Sequence, residues 1–318
     1  MPLVAVSSWL MNTNAMTPES EHDWTVHSIN IHGIFFERFC QKVIDKNALW
    51  ELKAINYPVE FPPARGPIRG RESTLDIRAC RELDGGILTL LIECKKNNPE
   101  FVDWIFFPRY FTSNQNKLWF PQIENIQDQN SSAQWRPQSN FKVITASSET
   151  LVCDAARETR GSYTSHKKGD RTRTSNASIE DAAYQVTIAT QTIVAEEQQF
   201  SHVLSVGAPE RSLPWKKQVF LPTVVTSARI FTCDFNPADI DKLTGEIAYE
   251  KAGITEVPSL FFEYPVPRHL QGIPEDLGRV ASTDSIELFM RRHILIVQSA
   301  KLEEVLYLYA GLARHFVT

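Results

Sequence analysis

The stretch Ser73–Lys96, STLDIRACRELDGGILTLLIECKK, constrains the fold of this chain more than any other. Asp84-Gly85 is a two-residue hairpin signal, because both central positions of a type I′ turn take positive φ. With that pair as the loop, Leu83 faces Gly86 and opposed positions sum to 169. Asp76 then stands opposite Glu93, and Lys95 points to the same face. The other face collects Leu75, Ile77, Ala79, Leu83, Leu88, Leu90, Ile92 and Cys94. A slip of one residue would turn this apolar surface to water, so burial defends the register. A three-residue Asp-Gly-Gly loop with a bulge is the competing arrangement, and it would loosen the facing of the two acids.

Opposed carboxylates are a pairing that sheets ordinarily avoid. Each raises the pKa of the other unless positive charge lies between them. A divalent cation with a neighbouring lysine resolves the conflict. The simpler alternative is a surface Lys95–Asp76 ion pair with Glu93 in water.

Asp76, a gap of 16 residues, then Glu93-Cys94-Lys95 at the end of an apolar strand resembles the PD-(D/E)xK nuclease signature, with Leu75 where a proline usually stands. The resemblance implies Mg²⁺, with Mn²⁺ as a substitute, held by Asp76, Glu93 and the Cys94 carbonyl. It gives Lys95 the task of activating or positioning the attacking water. Gly33-Ile34-Phe35-Phe36-Glu37 resembles the opening helix of Mrr-like and Holliday-junction-resolvase-like members, whose glutamate faces the metal site. Glu37 is therefore a further candidate ligand, with a solvated surface glutamate as its alternative. Some members place a glutamine of a later helix near the site, and Gln185 is a loose match that is otherwise an exposed polar position.

The rest of the chain reads as follows. Its 318 residues suffice for one large domain or two modest ones, and 42% hydrophobic with 22% charged residues is ordinary for a soluble globular protein. No apolar run reaches the roughly 18 residues of a membrane span. Residues 1–22 lack a basic n-region and are expected to be loosely held. Five widely spaced cysteines without a CxxC argue for a reducing compartment, the cytoplasm by default, and against structural zinc. A net charge of −5 is not that of a typical nucleic-acid binder. A nuclease needs only local basic surface, while acids at its metal site lower the total.

Apolar spacing predicts a helix over Ser28–Asn47 and a first strand over Trp50–Phe61. Arg65, Arg69 and Arg71 then lie among glycines and a proline, and with Lys96 they suit phosphate contacts or an ordinary solvated loop. After Asn97-Asn98-Pro99 a short helix is expected over Glu100–Phe107. The aromatic residues of 101–135 are expected either to form a satellite core or to stack on unpaired bases. A strand over Phe141–Ala146, then helix or loop, precedes a basic run with Lys167, Lys168, Arg171 and Arg173. That run is expected to grip a phosphate backbone or to be a solvated insertion. Ser178-Ile179-Glu180-Asp181 looks like a capping box opening a helix. From Gln218 onward the chain reads as strands, and Ser299 as the N-cap of a last helix.

Together these readings predict an α/β protein with a restriction-endonuclease-like core: a central mixed β-sheet flanked by helices, plus an inserted aromatic and basic region at about 97–177. One nuclease domain is expected over 23–318. The resemblance implies a metal-dependent DNA endonuclease of restriction, defence or DNA-processing type. A catalytically silent nucleic-acid-binding module and an RNA-directed nuclease are the alternatives. Monomer and homodimer are both left open.

Overall fold

The hairpin forms in the expected register and lies inside the sheet. The structure is a computed structural model and describes residues 18–31, 33–60, 72–97, 103–109, 117–127, 135–147, 149–159, 177–207, 217–267, 270 and 290–317. β1 (Glu51–Glu60), β2 (Glu72–Leu83) and β3 (Gly86–Lys95) form an antiparallel meander. From Leu83↔Gly86 to Ile77↔Ile92 the β2–β3 pairs keep the predicted sum. The turn itself is different. Only Gly85 takes positive φ, at 83°, while Asp84 stays on the ordinary side, which is the φ pattern of a type II rather than a type I′ turn.

Nine further strands complete one mixed, 12-stranded sheet. They are β4 (Asp103–Pro108), β5 (Lys117–Gln127), β6 (Trp135–Thr145), β7 (Val152–Thr159), β8 (Lys217–Thr226), β9 (Arg229–Asp234), β10 (Gly253–Glu256), β11 (Ser259–Pro265) and β12 (Arg291–Gln298). The order is β1-β2-β3-β8-β12-β11-β7-β4-β9-β10, with β5 pairing β8 and β6. β8 runs parallel to β3 on one side and to β12 on the other. It is buried almost throughout because both of its faces are covered.

Helices lie on both faces. Cys40 and Ile44 of α2 (Ile34–Asp45) and the inner side of α4 (Leu302–Val317) pack with Ile77, Leu88, Leu90, Ile92 and Phe120. On the opposite face Ile179, Ala182, Val186, Ala189 and Ile193 of α3 (Ala177–Gly207) pack with Leu91, Phe220, Val224 and Ile294. The spacing of these apolar residues follows the 3.6 period that predicted the helix. The chain divides into two compact units, 1–35 and 36–318, and the described part of the first carries α1 (Pro18–Ile31). No helix among the described residues is long and apolar enough to cross a membrane.

Several expectations are corrected. The single helix over 28–47 is two, separated at Gly33, whose φ of 78° no helix interior accommodates. The helix expected over 100–107 is not found in its described residues, since 103–108 is strand β4. The segment expected as an insertion supplies four strands of the sheet, and β7 stands where helix or loop was expected. Trp104, Phe106 and Phe120 are fully buried in the main core, so they offer no ring to a base. Ser178 lies within the first turn of α3 instead of capping it. Glu158 of β7, 1% exposed, takes the cap role. Its Oε1 accepts the Ile179 N–H at 3.0 Å and its Oε2 the Ser178 hydroxyl at 3.3 Å, so a carboxylate meets the positive end of the helix. Ser299 likewise sits in a 3₁₀ turn that precedes α4. The expectation for residues 1–22 falls, up to residue 17, outside the described residues.

The hairpin turn is also a packing point. A Cβ added at Gly86 would lie 2.6 Å from the Val317 Cβ, a contact that side-chain rotation cannot relieve. Gly86→Ala is therefore expected to destabilise the protein by about 1–3 kcal/mol, read as a lower urea midpoint at unchanged slope.

Candidate active site

The β2–β3 ladder gives way one pair beyond Ile77↔Ile92. There the Cys94 N–H donates to Asp76 Oδ2 at 2.6 Å, so a side-chain oxygen replaces a strand carbonyl. On β1 the pairing passes from Ile55↔Ile77 to Tyr57↔Leu75 around Asn56, which has a φ of 48°. The strand turns over at this point. Ile77 packs in the layer under α2 and α4, whereas Leu75, expected beside it, belongs to the α3 layer.

The kink leaves two acids buried at the carboxyl end of β3. Asp76 is 9% and Glu93 7% exposed, which removes the alternative in which Glu93 is solvated. Glu93 Oε2 is shut off from solvent and has no hydrogen-bond partner. Burial pushes the Asp76 carboxyl up to about 6, with Glu37 adding to the rise while the Cys94 N–H and Lys95 oppose it. Burial also holds Glu93 well above the ordinary carboxylate range, and the charge of Asp76 adds to the effect.

Glu37 lies in the first turn of α2, half-buried, and its charge acts on both acids. One turn on, the fully buried Cys40 packs in the same core cluster as Cys94 of β3. Lys95 is half-exposed. Its carbonyl accepts the Ser227 N–H at 3.2 Å, and the Asn97 N–H donates to Ser227 Oγ at 2.8 Å. These bonds fix the loop after β8 against the end of β3. On the neighbouring strands Arg78 pairs with Glu197, and the Tyr57 hydroxyl donates to Glu196 at 2.9 Å. Both contacts anchor the far half of α3 over β1 and β2.

The structure thus brings together Asp76, Glu93 and the main chain of Cys94, with Glu37 and Lys95 near enough for their charges to act on both acids. Gln185 lies on α3 with Oε1 buried and unpartnered, and no bond among the described residues joins it to these acids. Lys96 is half-exposed beside Asn97. Arg65, Arg69, Arg71, Lys167, Lys168, Arg171 and Arg173 lie outside the described residues.

Two contributors were not read from the sequence. Asn56, opposite Asp76, interrupts the apolar alternation of β1, and that break was the available signal. Asn97, two residues after Lys95, is 8% exposed with both side-chain polar atoms unpartnered; a polar residue directly after the strand was its only mark.

The donor chemistry fits a hard divalent cation. It offers two buried carboxylates, one with an unpartnered oxygen, and the Cys94 carbonyl leaves the strand on the side of Asp76, as the Cys94 N–H does. Among the described residues no three His, Cys, Asp or Glu side chains form a ready ligand set. All five cysteines are free and buried.

A second buried ionic cluster has a different character. Glu263 of β11 accepts from Arg109 on one oxygen and from Arg291 on the other. His293, its neighbour across the β11–β12 pair, accepts the Trp119 N–H on Nδ1 at 3.2 Å. Burial and the three arginines 109, 291 and 292 push its pKa down to about 3, so the ring is neutral. This cluster joins strands and presents no free base.

Compared with family profiles, curated proteins and solved structures, the chain has no match in any of the three.

Proposed function

We propose that this chain is a metal-dependent nuclease with a PD-(D/E)xK-type site and a restriction-endonuclease-like core, hydrolysing phosphodiester bonds of DNA. The supporting observation is the buried Oε2 of Glu93, which has no hydrogen-bond partner among the described residues, near a second buried carboxylate, Asp76. Two such acids, both held above their ordinary pKa, destabilise the fold unless a cation joins them, and costly ionisable groups concentrate at working sites.

Asp76, Glu93 and the Cys94 carbonyl would hold Mg²⁺ or Mn²⁺. When bound, the ion lowers the pKa of a water and offsets charge growing on the phosphate. Lys95 orients that water and stabilises the crowded phosphorus electrostatically. Hydrolysis adds the water oxygen to phosphorus, breaks one P–O ester bond and delivers the proton to the leaving oxygen. Glu37, in the first turn of α2, would be a further ligand to this ion or to a second one. The arginines and lysines at 65, 69, 71, 96, 167, 168, 171 and 173 supply sequence-independent phosphate contacts.

Supercoiled plasmid and a single-stranded RNA, each incubated with Mg²⁺, Mn²⁺ or EDTA, provide the test. Nicking of the plasmid with either metal and none in EDTA is expected. Cleavage of RNA alone would move the assignment to an RNA-directed nuclease. DNA binding without cleavage under any metal would make the chain a silent module.

A further inference from the structure

Helix α4 has two apolar faces, and the sheet uses only one. Leu302, Val305, Leu306, Tyr309, Ala310 and Ala313 are buried against the core. Tyr307, Leu308 and Leu312 point outward at 52%, 54% and 38% exposure. With Glu304, Gly311 and His315 they form one continuous stripe at i, i+3, i+4, i+7, i+8 and i+11. A polar outer face is the norm for a helix covering a sheet.

Gly311 is the telling position. Glycine in an exposed helix interior costs about 1 kcal/mol relative to alanine. A Cβ there would meet nothing within 4 Å, so no contact among the described residues calls for glycine. The stripe is also self-complementary. In an antiparallel pair of these helices, opposed positions sum to 619: Glu304 meets His315, Tyr307 meets Leu312 and Leu308 meets Gly311. Acid in the first turn and base in the last are brought together, and the two helix dipoles oppose.

We propose that α4 is a twofold docking surface for a second copy of this chain, the partner's Leu308 seating over Gly311 and the partner's His315 facing Glu304. An unrelated partner would need apolar surface but not this palindromic arrangement, which is what an isologous interface requires. The proposal does not depend on the nuclease assignment.

Sedimentation equilibrium between about 1 and about 100 µM tests it. The full chain is expected to reach twice its 36.2 kDa mass. Leu308→Glu is expected to weaken association at least about thirty-fold, as loss of a central contact does, with an unchanged thermal melt because the side chain is exposed. Gly311→Gln should raise the melting temperature of the chain through helix propensity and yet weaken association, a combination that misfolding cannot imitate. Glu304→Lys and His315→Glu should each weaken the dimer, and together restore it. A wild-type monomer throughout the range, or a dimer indifferent to Leu308→Glu and Gly311→Gln, would overturn the proposal. Failure of the double charge swap to restore association would overturn the antiparallel register.

Discussion

Asp76→Asn and Lys95→Ala are each expected to lower Mg²⁺-dependent plasmid nicking at least about 10³-fold while the circular dichroism spectrum stays that of the wild type. The two act differently. Asn at 76 keeps an oxygen for the Cys94 N–H, so the kink in β2 survives, but it removes one of the two proposed negative ligands. Lys95 is half-exposed and has no ion pair among the described residues, so its truncation leaves the packing of β3 intact and removes the charge proposed to act on the phosphate. Glu37→Gln should cost less, because Glu37 acts on the pair from a neighbouring helix. Full residual cleavage by Asp76→Asn would sink the nuclease assignment. Retained cleavage by Lys95→Ala alone would leave the metal site and remove the lysine from it.

The second large effect is on stability. The folded-state pKa of Asp76 is raised, from 3.8 to about 6, so folding favours the protonated form. Its stabilising contribution is complete below the unfolded value and is lost as pH climbs through about 6. The rise corresponds to about 3 kcal/mol. Glu93 shifts in the same direction and adds to the loss. In EDTA the wild type is therefore expected to melt at progressively lower temperature from pH 4 to pH 7. Asp76→Asn should match it near pH 4 and exceed it by about 1–3 kcal/mol at pH 8. Mg²⁺ at 100 times its Kd should restore about 2.7 kcal/mol to the wild type at pH 8 and little to Asp76→Asn. Parallel melting curves of the two proteins in EDTA, or equal shifts on adding metal, would show that the acids are not a cation site.

What could be read from the chain beforehand follows from how local each cause is. The Asp-Gly dipeptide and the apolar alternation on either side of it are local, and they placed Leu83 opposite Gly86 and brought Asp76 and Glu93 together. The heptad-like spacing from Ile179 to Ile193 was local too, and the buried face of α3 followed it. The failures have distant causes. Leu75 changes layer because of Asn56 on another strand. The start of α3 is set by Glu158 of β7, about twenty residues upstream, and no capping rule reaches that far. β4 and β7 carry mixed patterns because each is flanked by strands on both sides and only partly covered by helices. A window along the sequence cannot tell such strands from loops. The order of strands, with β8 between β3 and β12, depends on pairing that sequence periodicity does not encode.

The pairing of β3 with β8 also bears on how the protein is made. Thr89 and Gln218, whose side chains bond across these strands, are 129 residues apart. At about 5–20 residues per second, β3 leaves the ribosome roughly 6 to 26 s before its neighbour exists. Through that interval the sequence GILTLLIEC presents an open, apolar strand edge, the kind that pairs with any other chain it meets. The strand that carries the candidate catalytic residues is thus also the part of the nascent chain most in need of a chaperone. Truncations ending before Lys217 are the ones to expect in inclusion bodies.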